Sequence, residues 1–276
     1  MALYLFSEKY VSRGQGRCAQ SASAYRSGDK LHHNGRTYDY TKRRDIIHAE
    51  IMLPEYAPLK FYDRQTLCDE VEKAEDNSTR RKTARTFREI ILALQREFTF
   101  ETSLSLVSDL VSNCFVQHGM CADFAIHRGD SKDEDRIEGN HLKVLPHNPH
   151  AHVLLTTRYV GPGGFSEIKA REWDDWGKTD LLMQWREYWE TTQNIMFERK
   201  GLDARVSHKS YKARGIDRLP TKHCGPAVMA MERRGIKTYI GEINRDIEEK
   251  NRNLEIQREH QHQLDIEQEI DLEISR

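Results

Sequence analysis

Cysteine is scarce in this sequence and follows no pairing pattern. The 276 residues include five cysteines, an odd number, and no two of them have Cys-x-x-Cys spacing. This pattern argues against a disulfide framework and against a thiolate zinc site. It is typical of a protein that works in a reducing cytoplasm.

Long hydrophobic runs are also missing. The longest purely apolar stretches are short, such as residues 90–94, so none could span a bilayer as a helix. Residues 1–6 are apolar, but Glu8 and Lys9 follow without a small-residue cleavage site, so we expect no signal peptide. We therefore expect a cytoplasmic protein without membrane insertion.

An excess of charge of one sign is absent overall but present locally. The chain has 43 basic and 44 acidic side chains, yet residues 241–276 hold five basic and eleven acidic ones. Residues 78–88 carry five basic side chains and no acid, and residues 205–237 carry nine against Asp217 and Glu232. Basic blocks of this kind suit a polyanionic partner such as nucleic acid. They are equally typical of a solvated basic face.

The order of the predicted elements indicates the fold class and two domains. Strands are predicted over residues 2–7, 46–53, 89–94, 123–127 and 151–159, with a hairpin around Asn34-Gly35. Helices are predicted over residues 19–26, 64–74, 104–115 and 181–196. This irregular order favours an α+β fold with a mainly antiparallel sheet. We predict that residues 1–240 form the functional domain and that residues 241–276 form an acidic helical tail.

Two of the thirteen histidines stand out by their spacing. His150 and His152 run into a predicted strand, where residues i and i+2 share a face, so both rings can reach one ion. His260 and His262 have the same spacing in a predicted helix, where about 200° separates them. His150 and His152 therefore indicate a metal site, although two surface histidines on an edge strand would give the same pattern.

A catalytic metal site needs three protein ligands and an open position. His127 is the best third ligand because it ends the predicted strand that would pair with the one carrying His150 and His152. The rivals for this place are His118, His141 and His147. A site of three imidazoles binds Zn²⁺ or Ni²⁺ more tightly than Mn²⁺ or Mg²⁺, so the ion in use depends on availability.

Several distinct short motifs follow one another along most of the chain. They include Gln20-Ser21-Ala22-Ser23-Ala24-Tyr25-Arg26-Ser27-Gly28, Ile47-His48-Ala49-Glu50, Arg88-Glu89-Ile90, Asn148-Pro149-His150-Ala151-His152 and Gly215-Ile216-Asp217-Arg218-Leu219-Pro220. As an ordered set they resemble the MobA/MobL family of plasmid mobilisation relaxases, which are HUH endonucleases. The stretch 128–147 is longer than the family's usual turn, and Ile91 stands where the family often has a second acid.

The resemblance implies a fold and a chemistry. The fold would be a mainly antiparallel sheet with helices on its faces and the histidines on central strands. The chemistry would be strand-specific nicking of plasmid DNA at an origin of transfer, with Mn²⁺ or Mg²⁺ in use. By carry-over Tyr25 would be the nucleophile, and the ion would be held by His127, His150 and His152.

The resemblance also implies accessory groups and partners. Glu89 carries over as a catalytic carboxylate and Glu50 as a group that supports the metal ligands. The expected partners are single-stranded DNA at the transfer origin, accessory relaxosome proteins and a coupling protein. Alternative functions are a rolling-circle replication initiator, a catalytically silent DNA-binding module and a metal-dependent hydrolase that uses water.

Two stretches are candidates for holding single-stranded DNA, because basic groups interleaved with aromatic rings suit phosphate contacts beside base stacking. The first surrounds the predicted hairpin and comprises Arg26, Arg36, Tyr38, Lys42, Arg43 and Arg44. The second lies near the C-terminus of the body and comprises Lys209, Lys212, Arg214 and Arg218. Some of these side chains would be ordinary solvated charge.

Overall fold

A five-stranded antiparallel sheet forms the centre of the protein. The structure, a computed structural model, describes residues 2–129, 148–174 and 180–274. The strands in spatial order are β1 (Phe6–Ser12), β5 (Arg85–Ala93), β7 (His150–Thr156), β6 (Ala122–His127) and β4 (Ile46–Met52). Every neighbouring pair is antiparallel. The predicted α+β class with a mainly antiparallel sheet is confirmed.

Helices cover both faces of this sheet. Helices α3 (Phe100–Cys114) and α4 (Leu181–Arg199) contribute side chains such as Leu110 and Trp189 to a core that includes Phe124 and Val153 of the sheet. Helices α1 (Ala19–Ser27) and α2 (Arg64–Asp76) contribute to a second core with Phe87 and Leu154. Because Val153 and Leu154 are consecutive, they face opposite sides, and burial on both sides explains the continuous apolar run over residues 153–155 of β7.

A tight hairpin precedes strand β4. Strands β2 (Lys30–His33) and β3 (Arg36–Asp39) pair antiparallel and are joined by Asn34 and Gly35, which have positive φ angles of 48° and 74°. Positive φ at both central residues is the requirement of a type I′ turn, and asparagine followed by glycine meets it with little strain. The predicted hairpin is confirmed.

The first strand was predicted over residues 2–7, and this prediction is wrong in position. Strand β1 begins at Phe6 and continues to Ser12, through the charged Glu8 and Lys9 that lie beyond the predicted end. Glu8 is buried beside Arg88 of β5, with Arg88 Nη1 2.8 Å from Glu8 Oε1. A paired carboxylate can lie inside a sheet, and sequence spacing alone does not reveal the partner.

A smaller β-ribbon and a separate C-terminal unit complete the described structure. Strands β8 (Arg158–Gly161) and β9 (Gly164–Lys169) form the ribbon. Residues 1–208 and residues 209–276 group as two compact units. The second unit contains α5 (Gly225–Arg233) and α6 (Tyr239–Ile274), and Asn251 of α6 bonds both the backbone nitrogen and the carbonyl of Leu219. The proposed functional boundary at residue 240 stays a prediction.

Among the described residues, no helix combines the length and apolar character that a membrane span requires.

Candidate active site

Three histidines meet where strands β6 and β7 pair. His127, the last residue of β6, lies opposite His150, the first residue of β7, and His152 follows on the same face. Their ring centroids are 4.8 to 5.2 Å apart. One nitrogen from each ring lies within 4.8 Å of the others. The antiparallel register thus brings together the three residues that the sequence proposed as metal ligands.

Hydrogen bonds fix the tautomer of each ring. His127 donates through Nε2 to the backbone carbonyl of Arg26 at 2.8 Å, and His150 donates through Nδ1 to the carbonyl of Asn148 at 2.9 Å. His152 donates through Nδ1 to the Glu89 carboxylate at 2.7 Å. In each case an oxygen is the acceptor, so the bonded nitrogen carries the proton. The second nitrogen of each neutral ring keeps its lone pair for an ion.

Burial keeps two of these rings uncharged at neutral pH. Burial is the main cause that lowers the pKa of His127 to about 4; the nearby His152, His150 and Arg43 act in the same direction, and the hydrogen bond to the Arg26 carbonyl opposes them. Burial also lowers the pKa of His152, although its hydrogen bond to Glu89 opposes the shift. Neutral imidazole is the form that binds a metal ion, so the site needs no proton release there.

Glu89 is the buried anion of the site. It accepts hydrogen bonds from Arg26 at Nε and Nη2, both at 2.6 Å, and Lys9 Nζ lies 3.3 Å from it. Burial by itself would raise the pKa of Glu89, but the hydrogen bonds and charges of His152 and Arg26 hold it below its usual range. Glu89 is therefore ionised at neutral pH and joins His152 of the cluster to helix α1.

Helix α1 carries Tyr25 beside this cluster. Its small residues Ala22 and Ala24 are buried, and Ser23 Oγ donates to the buried carboxylate of Asp123 on β6. Tyr25 instead faces outward with 44% of its surface exposed. The backbone carbonyl of the next residue, Arg26, accepts the hydrogen bond from His127, so the helix turn that carries Tyr25 is fixed to the histidines.

Two predicted site residues lie elsewhere than the sequence suggested. Glu50 is the register partner of Phe124 and hydrogen-bonds His48 at 3.1 Å, so it lies on the opposite face of the sheet from the histidines. Arg26 is only 6% exposed, and its guanidinium bonds Glu89 and the Ala22 carbonyl rather than lying at the surface. The structure does not bring Glu50 to the candidate site.

Of the rival histidines, His118 lies among the described residues, and it is not part of the cluster. His118 ends a short 3₁₀ turn after helix α3. His141 and His147 lie outside the described residues.

The predicted DNA-contacting side chains fall into two surfaces. Around the hairpin, Arg36, Lys42 and Arg44 are exposed and Tyr38 is half-buried. In the second unit the predicted side chains are all exposed: Lys209, Lys212, Arg214 and Arg218. Arg218 is paired with Glu255 of α6 at 2.7 Å.

Some residues at the site gave no signal in the sequence. Lys9 lies beside Glu89 from the neighbouring strand β1, and Asp45 Oδ2 lies 3.8 Å from Nδ1 of His127. Asp45 follows a run of basic residues, and only the pairing of β4 with β6 places it near His127. Such contacts depend on strand register, which has no local sequence marker.

Comparison with known proteins places this geometry in a family. The model of the MobA/MobL family matches residues 17–234, which include the three histidines, Tyr25 and Glu89. The "Probable mobilization protein MobA" of Bifidobacterium longum is 30% identical over 91% of this chain and 48% of its own length. The "Mobilization protein MobL" of Acidithiobacillus ferridurans is 32% identical over 85% of this chain and 65% of its own length.

A solved structure is similar to this chain in both sequence and fold. In "Molecular Basis of Vancomycin Resistance Transfer in Staphylococcus aureus", one chain is 30% identical to this protein with a TM-score of 0.62. The match covers 76% of this chain and 100% of that chain. The present chain spans about half to two thirds of the two mobilisation proteins above. The family model covers most of the sequence, and this chain belongs to the MobA/MobL family.

Proposed function

We propose that this protein is a relaxase that nicks one strand of plasmid DNA at an origin of transfer, in a metal-dependent reaction with Tyr25 as the nucleophile. The observation that carries the proposal is the hydrogen bond from His127 to the Arg26 carbonyl. It joins the three-histidine cluster to the helix turn that presents an exposed tyrosine. Membership of a family with relatives named as mobilisation proteins supports the same function.

The donor set suits a divalent ion. Three imidazoles converge, and each is oriented by a hydrogen bond from its other nitrogen, as is usual for metal-ligating histidines. A bound ion would neutralise a non-bridging oxygen of the scissile phosphate. The described cluster contributes three ligands, which would leave a position for that oxygen. We propose Mn²⁺ or Mg²⁺ as the ion in use, with Zn²⁺ and Ni²⁺ binding more tightly.

Tyr25 would carry the covalent step. Its phenolic oxygen forms a bond to phosphorus, the bond from phosphorus to the 3′ oxygen breaks, and the 3′ oxygen leaves with a proton as a hydroxyl. The new phosphotyrosine ester has an energy comparable with that of the ester it replaces, so the 3′ hydroxyl can reverse the step without ATP. Glu89 acts through His152 and Arg26 as a positioning group.

The exposed cations would hold the single strand. Arg36, Lys42 and Arg44 lie around the hairpin that precedes β4, and Tyr38 offers a ring for base stacking. Lys209, Lys212 and Arg214 of the second unit would add phosphate contacts. Accessory relaxosome proteins and a coupling protein remain proposed partners.

The test is the capture of a covalent intermediate. The protein is incubated with Mn²⁺ and single-stranded DNA from candidate transfer origins, and adducts are resolved on a denaturing gel. Tyr25→Phe should abolish the adduct, whereas Tyr62→Phe, a control at another exposed tyrosine, should form it at the wild-type level. Cleavage without an adduct would replace this proposal with a nuclease that uses water.

A further inference from the structure

Arg43 contacts the proposed nucleophile in two ways. Its guanidinium carbon lies 4.2 Å from the centroid of the Tyr25 ring, within the range of a cation–π contact. Its Nη1 donates a hydrogen bond to the Tyr25 backbone carbonyl. The ring of Tyr40 meets the Tyr25 ring edge-on, with centroids 5.2 Å apart. An exposed tyrosine is thus held by a guanidinium and an aromatic ring.

Asp45 holds the guanidinium in turn. Arg43 Nε donates to Asp45 Oδ1 at 3.0 Å, and Nη2 donates to Asp45 Oδ2, so the pair is bidentate. The same Oδ2 lies 3.8 Å from Nδ1 of His127. Hydrogen bonds therefore join Tyr25 through Arg43 to Asp45, and the Asp45 carboxylate lies near a proposed metal ligand. Bidentate pairs of this kind fix orientation as well as charge.

We propose that Arg43, anchored by Asp45, is a positioning residue that fixes the orientation of the Tyr25 ring on the helix turn that is bonded to the histidine cluster. From the sequence, Arg43 was predicted to be one of the DNA-contacting cations. In the structure its guanidinium instead makes four contacts within the protein, two with Tyr25 and two with Asp45. An in-line attack requires the oxygen and phosphorus to be held within a few tenths of an ångström of the productive geometry. An exposed tyrosine without such support would spread over several rotamers.

This proposal rests on the proposed function. The variant Arg43→Lys distinguishes a role of Arg43 in positioning Tyr25 from a role in binding phosphate. Lysine keeps the charge but has neither the planar face nor the two-pronged donor. We expect the single-turnover rate of adduct formation at saturating DNA to fall about 10- to 100-fold. The affinity for single-stranded DNA and its salt dependence should stay within about twofold of wild type, because the number of cations is unchanged.

Three further variants sharpen the comparison. Asp45→Asn should lower the rate at saturating DNA in the same way, because it releases the guanidinium. Lys42→Ala, a change at the exposed neighbouring cation, should instead weaken the DNA affinity. Lys60→Ala, at an exposed cation outside the proposed DNA-contacting surfaces, should leave both the affinity and the rate at the wild-type level. An Arg43→Lys protein that reacts at the wild-type rate, or that loses affinity in proportion to rate, overturns the positioning role.

A second readout does not depend on activity. In protein labelled with 3-fluorotyrosine, the ¹⁹F signal of Tyr25 is assigned by its loss in Tyr25→Phe. Arg43→Lys should shift and narrow this signal as the ring gains freedom, while Lys42→Ala should leave it in place. A Tyr25 signal that Arg43→Lys does not change overturns the proposal. If the unlabelled wild-type protein forms no adduct with any candidate origin, the proposed function itself fails, and the role assigned to Arg43 fails with it.

Discussion

The Glu89 carboxylate accepts a hydrogen bond from His152 Nδ1 at 2.7 Å across the pairing of β5 with β7. The same carboxylate binds the guanidinium of Arg26 on helix α1. One buried anion therefore sets the ring orientation of a proposed metal ligand and the position of the residue after the proposed nucleophile. This arrangement makes Glu89 the residue whose loss should affect stability and metal binding together.

Glu89→Gln should destabilise the fold in a pH-dependent way. Breaking a buried charge pair typically costs about 3–5 kcal/mol of unfolding free energy, since Arg26 would stay buried without its anion. The pKa of Glu89 is lowered from its usual value of 4.5, so this stabilisation is fully present above about pH 4.5 and decreases progressively as the pH falls from there towards the lower pKa of the folded state.

Chemical denaturation of the apo-protein at pH 7 and at pH 4 measures this effect. The unfolding free energy of Glu89→Gln should be well below that of the wild type at pH 7, and the difference between the two proteins should be smaller at pH 4. Glu55→Gln, at an exposed carboxylate, should change the unfolding free energy by less than about 0.5 kcal/mol at either pH. An equal gap at both values of pH would contradict the assigned charge state.

The histidine cluster should bind divalent ions with a defined order of affinity. We expect Zn²⁺ to bind more tightly than Mn²⁺ in calorimetric titrations, since imidazole nitrogens favour the later metals. Glu89→Gln should weaken binding about 10- to 100-fold through the orientation of His152, and His150→Ala/His152→Ala should weaken it further. His48→Ala, on the other face of the sheet, should bind like wild type. Equal affinities in all four proteins would contradict the site.

Strand periodicity predicted much of this site. His150 and His152 were predicted to share a face, and the structure places them so, with His127 opposite His150. These three positions could be anticipated because a period of two and an antiparallel pairing are enough to bring them together. Family resemblance, rather than spacing, singled out Tyr25 from the other tyrosines.

Other parts could not be read from the sequence because they depend on long-range partners. The first strand was predicted to end at Ser7, but it continues through Glu8, whose side chain can be buried because Arg88 of β5 pairs with it. Glu50 falls on the far face of the sheet, a consequence of register and of the irregularity between Ile46 and His48. Arg26 looked like a surface cation beside Tyr25, but its partner is Glu89, 63 positions along the chain.

The second-unit cations should contribute to DNA binding through charge alone. Lys212→Ala/Arg214→Ala should lower the affinity for single-stranded DNA about equally for different sequences. Each lost phosphate contact should reduce the slope of log affinity against log salt by about 0.7. Fluorescence anisotropy over a series of salt concentrations measures both quantities. Glu259→Gln, at an exposed acid of α6, is the control for an unrelated surface change, and an unaltered slope in the double variant would exclude these contacts.

Gly28 should be required for the end of helix α1. It has a φ of 79°, and a Cβ there would lie 3.0 Å from Cδ1 of Ile46. Gly28→Ala should therefore cost about 1–2 kcal/mol of unfolding free energy, since alanine is strained at positive φ. Gly163→Ala is the matched control, because that position has no neighbour within 4 Å and no positive φ. Similar midpoints of thermal unfolding for the two variants would contradict the claim that glycine is required at the end of helix α1.

Peptide mapping of the covalent adduct tests the central claim most directly. Trypsin should release residues 18–26 as one peptide, in which Tyr25 is the only tyrosine. After reaction with origin DNA and nuclease trimming, mass spectrometry should find a nucleotide joined to this peptide through its 5′ phosphate, and a free 3′ hydroxyl on the other DNA product. A nucleotide on a different peptide would contradict Tyr25 as the nucleophile, and cleaved DNA with an unmodified peptide would contradict covalent nicking altogether.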